Sequence, residues 1–260
     1  MAQENLKIAL FQFDLVWENA SANRAKIDQF LQEVPERTEV VFLPEMFSTG
    51  FTMNVSEMAE SMDDKTIRWM KTRAEEHQIA LCGSLIILET GQYFNRLVFV
   101  EPSGKIHSYN KRHLFTMGNE ESHFEQGQHR LIVDYKGWRI CPLICYDLRF
   151  PVWARNHNEY DLLIYSANWP EARTEVWNTL LNARAIENQS FVAGVNRVGV
   201  DGSSISYSGN SKIIDSKGNI VSETESYTEA VILADLSYAE LLKFRNDFPV
   251  LDDADSFSLM

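Results

Sequence analysis

Apolar residues in this chain fall mostly into short runs of strand length, with amphipathic stretches of helical spacing between several of them. Residues 5–14 read as a first, mostly buried strand. Residues 18–33 take helical spacing, with Ala25, Ile27, Phe30, Leu31 and Val34 toward one side. Residues 39–45 are a second buried strand that ends in a carboxylate, and Pro44 disfavours helical geometry at Leu43. A loop is expected over 47–62. A helix capped by Asp63 or Asp64 should then run to His77, with Ile67, Met70 and Ala74 on its apolar face.

The second half repeats this rhythm. Residues 79–88 are a strong strand, followed by a hairpin of 93–100 and 105–109 with its turn at 102–104. Three adjacent basic residues, Lys111, Arg112 and His113, follow a strand and precede a polar loop over 118–127, long enough to suggest function. Residues 131–135 and 138–144 form another hairpin, which delivers Cys145 at its end. Helices are expected at 152–158, 173–188 and 238–245. Strands are expected at 160–167, 191–195 and 230–234, with a hairpin over 206–221 turning at 215–218. Strands alternating with helices, interspersed with antiparallel hairpins and without a Gly/Pro/Ser-rich linker, predict a single α/β domain with mixed sheets over residues 1–260.

Composition narrows the function. The chain has 260 residues, 45% hydrophobic and 23% charged, as in ordinary globular proteins. A formal net charge of −13 disfavours nucleic acid and anionic membrane surfaces, while leaving room for a local basic pocket. No apolar run approaches spanning length, and the first residues lack the basic-then-apolar order of a signal peptide, so the cytoplasm is expected. Three cysteines, Cys82, Cys141 and Cys145, are too few for a disulfide framework and read as reduced thiols.

There is no G-x-G-x-x-G after the first strand, no P-loop, no H-E-x-x-H, no paired C-x-x-C and no G-x-S-x-G elbow. Gly199 and Gly202 mark a turn, and the scattered histidines argue against zinc. Cys145 is the best-placed nucleophile, because a buried strand carries it to its end and the next N–H groups can face whatever it attacks. A Cys–His hydrolase using His113 or His123 is open, although nothing in their spacing points to it.

Three separated motifs, in order and at strand ends, resemble the nitrilase superfamily of carbon–nitrogen hydrolases. They are Phe42-Leu-Pro-Glu-Met-Phe47, Tyr109-Asn-Lys-Arg-His-Leu-Phe115 and Leu143-Ile-Cys-Tyr-Asp-Leu-Arg-Phe-Pro151; the later Ala183-Arg-Ala-Ile-Glu-Asn188 also fits. The resemblance implies a four-layer α-β-β-α sandwich. It implies Glu45 as general base and acid, Lys111 as cationic stabiliser, Cys145 as nucleophile and Glu120 as the second glutamate, with Glu121 the alternative match. It also implies an oxyanion site at Lys111 and the Tyr146 backbone N–H, no metal or organic cofactor, and a homodimer with residues 246–260 reaching across to the partner.

Within the family the chain looks most similar to bacterial omega-amidases, which hydrolyse the terminal amide of 2-oxo acids such as 2-oxoglutaramate; Tyr146-Asp147 departs from the Trp-Glu usual in true nitrilases. A carboxylate-bearing substrate would need a cation, for which Arg149 and Arg173 are candidates, although Arg149 could equally pair with Asp147 or Glu187. Trp169 and Phe47 are candidate pocket walls. Another amidase or N-carbamoyl hydrolase of the superfamily, or a scaffold without turnover, are the competing readings.

Overall fold

The computed structural model describes residues 5–255. The chain runs β1 (Leu6–Gln12), α1 (Ala20–Glu33), β2 (Val40–Phe42), α2 (Val55–Met58), α3 (Lys65–His77), β3 (Ala80–Glu89), β4 (Gln92–Val100) and β5 (Ile106–Asn110). It continues through β6 (Val133–Tyr135), β7 (Trp138–Ile144), α4 (Pro151–Ala154), β8 (Leu162–Ala167), α5 (Thr174–Asn188) and β9 (Phe191–Asn196). Last come β10 (Val198–Val200), β11 (Ser206–Ser208), β12 (Lys212–Ile214), β13 (Ile220–Glu223), β14 (Ala230–Leu236) and α6 (Tyr238–Asp247).

Two six-stranded mixed sheets result, ordered β14-β1-β2-β3-β4-β5 and β13-β12-β9-β8-β7-β6. Each has a parallel centre, β1-β2-β3 and β7-β8-β9, flanked by antiparallel strands. The period of two along β1 explains the layering. Leu6, Ile8 and Leu10 face the core shared with β7, β8 and β9, whereas Ala9 and Phe11 pack against Ile27 and Leu31 of α1 and Ile67, Met70 and Ala74 of α3. Val40 and Phe42 likewise face the first core and Val41 the second. Helices α5 and α6 cover the other sheet through Trp177, Leu181, Ala185 and Leu241. With both faces buried, the central strands read as continuous apolar runs. The four-layer α-β-β-α sandwich is the one expected.

Two expectations need correction. The helix expected over 152–158 stops at Ala154. Asn156 is buried, and its amide bonds the backbone of Glu159, Tyr160 and Asn188, an alternative to helical pairing that a short polar side chain offers. The hairpin expected over 206–221 splits in two. Residues Ser206–Ser208 pair with Val198–Val200, and only Lys212–Ile214 pairs with β13. The break lies at Gly209, whose φ of +77° and close seat on the Gln12 side chain suit no larger residue. In the C-terminal segment Leu251 is buried and Phe248 O accepts a bond from Gln189 Nε2, while most of residues 246–255 are exposed; 256–260 fall outside the described residues.

Candidate active site

The C-terminal ends of parallel strands in both sheets face one cavity, the usual place for a site in α/β folds. Glu45 follows β2, Lys111 follows β5, and Cys145 follows β7 and opens a 3-10 turn, Cys145–Arg149. Cys145 has φ of +41°, a left-handed backbone that a non-glycine residue adopts only where its surroundings enforce it. The turn projects the thiol from the strand end. As the second residue of that turn, Tyr146 keeps its N–H outside the turn's own hydrogen bonds, leaving a backbone donor beside the thiol.

Lys111 sits between two buried carboxylates. Its Nζ lies 2.8 Å from Glu45 Oε1 and 2.8 Å from Glu120 Oε2. Burial alone would strip its proton, but the charges of Glu120 and Glu45 outweigh burial and hold the ammonium charged. Burial pushes the Glu120 carboxyl up, opposed by Lys111. Glu120 also accepts the Phe115 N–H at 2.6 Å, which fixes the loop that carries it. Glu45 is held at its second oxygen by the Asn168 N–H at 3.0 Å, and its own carbonyl accepts from Asn168 Nδ2 at 2.6 Å.

The thiol of Cys145 is pushed well above its ordinary range, first by burial and then by the Glu45 charge, with Lys111 pulling the other way. It therefore rests protonated, with Sγ 3.8 Å from Asn168 O and the Glu45 charge close by. A neutral thiol beside a carboxylate base suits attack with concerted proton removal rather than a stored thiolate. The two histidines left open as partners lie elsewhere. His113 Nδ1 bonds Asp147 at 2.7 Å while its ring stacks on Phe150, and His123 lies against Asn119.

Asp147 ties the lysine segment to the cysteine turn. Its buried carboxylate accepts from Tyr109 Oη at 2.7 Å, His113 N at 3.0 Å, His113 Nδ1 at 2.7 Å and Ile144 N at 3.1 Å. Lys111 lies midway between Tyr109 and His113 in the chain, and Ile144 directly precedes Cys145. One carboxylate thus clamps the backbone on which the Lys111 and Cys145 side chains ride.

The cavity holds about 250 Å³, sized for a small metabolite. Glu45, Lys111 and Cys145 line it together with Tyr146, Asn168 and Trp169, and Phe51, Phe115 and Tyr207 add aromatic wall. Arg149 and Arg173 both line it. Arg149 lies over the Trp169 ring at 5.1 Å and Arg173 over Phe115 at 5.4 Å, and neither forms an ion pair among the described residues. The pairing of Arg149 with Asp147 or Glu187 is not formed: Asp147 is committed to its clamp, and Glu187 bonds Arg184. Phe47 is not a wall. It is fully buried in the layer between the first sheet and α3, against Trp69 and Gly83. Among the described residues no group of His, Cys, Asp and Glu is arranged for a metal ion, Lys111 filling the space between the two carboxylates.

The family profile described as carbon-nitrogen hydrolase matches residues 7–246. The chain belongs to this family. It is 45% identical to the omega-amidase YafV of Escherichia coli (strain K12), over 98% of each chain. It is 32% identical to the 2-oxoglutaramate amidase of Bacillus subtilis (strain 168), covering 95% of this chain and 96% of that one. Among solved structures, XC1258 of Xanthomonas campestris, a CN-hydrolase superfamily protein with an arsenic adduct in its active site, superposes with a TM-score of 0.96 at 42% identity, over 98% of this chain and 99% of that one. This carbon–nitrogen hydrolase is thus an enzyme of the amide-hydrolysing kind. No helix among its described residues is long and apolar enough to cross a membrane.

Two residues of the hydrolase's site carry roles that sequence reasoning did not assign. Asn168, just past the end of β8, holds Glu45 through two hydrogen bonds. Asn95 lies inside β4 beside Arg96, a polar pair that gives no sign of a site; it is fully buried and reaches both carboxylates.

Proposed function

We propose that this chain is an omega-amidase that hydrolyses the terminal amide of a small 2-oxo acid, such as 2-oxoglutaramate, to the acid and ammonia. The observation that carries the reading is the pair of unpaired guanidinium groups, Arg149 and Arg173, on the cavity that holds the thiol. Arginine stacked on an aromatic face is pre-organised to take a carboxylate. Two such cations suit the carboxylate and carbonyl oxygens at the far end of a 2-oxo acid, and they repel the ammonium of glutamine. The similarity to an omega-amidase and to a 2-oxoglutaramate amidase supports the same substrate class.

In the proposed reaction Glu45 takes the thiol proton as Cys145 Sγ attacks the amide carbon. The Lys111 ammonium and the Tyr146 N–H hold the oxyanion. Glu45 returns the proton to the departing nitrogen, the C–N bond breaks, ammonia leaves and a thioester remains. Glu45 then deprotonates a water that attacks the thioester, and the Cys145 sulfur leaves, recovering its proton from Glu45. Glu120 keeps Lys111 charged and in place. The amide class is tested by ammonia release from 2-oxoglutaramate beside glutamine, an N-carbamoyl amino acid and a simple nitrile, with Cys145→Ala as control. Release from the 2-oxo amide alone, lost in the variant, is expected. Release from the carbamoyl compound instead would reassign the pocket to a carbamoylase.

We further propose a homodimer that works in the cytoplasm. Ile186 of α5 is 56% exposed, and Phe248 beyond α6 60% exposed, on the outer layer of the second sheet, where Phe244 packs near Phe248. An apolar patch of this kind is a candidate for a second copy. Light scattering should give twice the chain mass, and Ile186→Asp with Phe248→Asp should give the monomer. The three free cysteines are buried, in keeping with a reducing compartment, which cell fractionation tests directly.

A further inference from the structure

We propose that Asn95 is a positioning residue for the amidase reaction, its amide closing a ring with Lys111 around Glu45 and Glu120 so that Glu45 is held in place to accept the thiol proton. The inference rests on the reading of Glu45 as the base. Asn95 Nδ2 lies 2.8 Å from Glu45 Oε1 and 3.0 Å from Glu120 Oε1. Lys111 Nζ reaches the same two oxygens, at 2.8 Å and 3.0 Å. Two donors and two acceptors thus form a closed four-membered arrangement. The backbone of Asn95 joins in, since its carbonyl accepts the Lys111 N–H at 2.9 Å.

The orphan atom of this side chain is informative. Asn95 is fully buried, and its Oδ1 has no partner among the described residues. A buried acceptor left unpaired is destabilising, and a residue present only to fill β4 would have no reason to carry one. The amide cannot turn to relieve it, because Oδ1 would then face carboxylate oxygens that only accept. The side chain is therefore held for its donors.

The chemistry of those donors accounts for the choice of asparagine. Two carboxylates sharing one ammonium repel each other, which favours a proton on one of them. A second cation would relieve that repulsion but would weaken Glu45 as a base for the thiol. An amide supplies two N–H groups and no net charge. The charged and titratable groups that face Glu45 are Lys111, Glu120 and Cys145, with Arg149 and Arg173 on the same cavity.

The test measures the pH dependence of kcat/KM for ammonia release from 2-oxoglutaramate, and in parallel the pH dependence of Cys145 alkylation by iodoacetamide. It uses the full chain, Asn95→Asp and Asn95→Ala. Asn95→Asp keeps the shape and adds a third carboxylate, while Asn95→Ala removes both donors. In both variants the acid limb should move to higher pH by roughly one to two units, with KM within about twofold, because a hydrogen bond to a charged group is worth that much. Alkylation needs no substrate, so it reports on Asn95 even if 2-oxoglutaramate is not turned over. Should Asn95→Asp fail to fold, Asn95→Ala carries the measurement. Variants that lose rate or thermal stability while both limbs stay at the wild-type pH would reduce Asn95 to a structural residue and overturn the proposal.

Discussion

Replacing Asp147 with alanine should damage the protein in a way that can be sized beforehand. The substitution strands four donors: the Tyr109 hydroxyl, the His113 N–H, the His113 ring and the Ile144 N–H. The His113 side chain is 22% exposed and can turn to water, so its ring costs little. Tyr109 and Ile144 are fully shut in. Each stranded buried donor costs about 1–3 kcal/mol, so a total near 4 kcal/mol is expected. For a chain of 260 residues the unfolding entropy is roughly 0.55 kcal/mol/K, so Tm should fall by about 7 °C. Urea denaturation and a thermal scan measure the loss. Activity should fall with it, since the bonds that fix the backbone around Lys111 and before Cys145 are the ones removed. A loss under about 1 kcal/mol with normal kcat would refute the clamp, because four hydrogen bonds to one buried carboxylate cannot be that cheap.

Other consequences follow from single positions. A Cβ on Gly127 would lie 2.0 Å from Asn110 O, so Gly127→Ala must push the backbone next to Lys111; a drop in kcat of more than about tenfold is expected in steady-state assays, with KM less affected. Arg149→Gln and Arg173→Gln should each raise KM for a 2-oxo acid amide by about ten- to a hundredfold while leaving Cys145 alkylation unchanged; equal KM values would remove both from substrate binding. The buried thiols predict instability in alkali. Burial pushes Cys141 up to about 12 and holds Cys82 and Cys145 higher than an ordinary thiol. Above roughly pH 8.5 the unfolded chain releases protons that the folded chain keeps. Each thiol then lowers unfolding free energy by about 1.4 kcal/mol per pH unit, up to its folded value. Urea midpoints between pH 8 and 10 should fall steeply, and replacing Cys82 by alanine should flatten that fall while costing stability at pH 7.

The mixed sheets, and the places of Glu45 and Cys145 at strand ends, could be read from the apolar pattern, whereas the four-layer sandwich and the grouping of Glu45, Lys111 and Cys145 rested on the resemblance carried by three motifs. Strands buried on both faces announce themselves as apolar runs, and a polar residue just past such a run has few places to go but the strand end. The less legible parts depend on contacts distant in sequence. Asp147 lies close enough to Arg149 to suggest an ion pair, but three of its four donors come from Tyr109 and His113, 34 to 38 residues earlier. Phe47 follows the carboxylate closely, yet Met46 takes φ of +43° and the chain turns the ring into the helix-covered layer. The β10–β11 hairpin was hidden because its loop is ordered by one side chain, Asp201, which accepts from Ser203 N and Ile205 N. The early end of α4 was hidden by Asn156 in the same way.

The division of the site between two sheets bears on how the chain acquires activity after synthesis. Glu45, Asn95 and Lys111 hang from strands of the first sheet, Cys145 and Asn168 from the second. Neither sheet alone holds both the proposed nucleophile and the proposed base. A refolding chain that has completed each sheet but not docked them would show full far-UV dichroism and no turnover. Regain of activity therefore clocks the closing of the sandwich rather than the making of its layers, a late event dominated by contacts far apart in sequence.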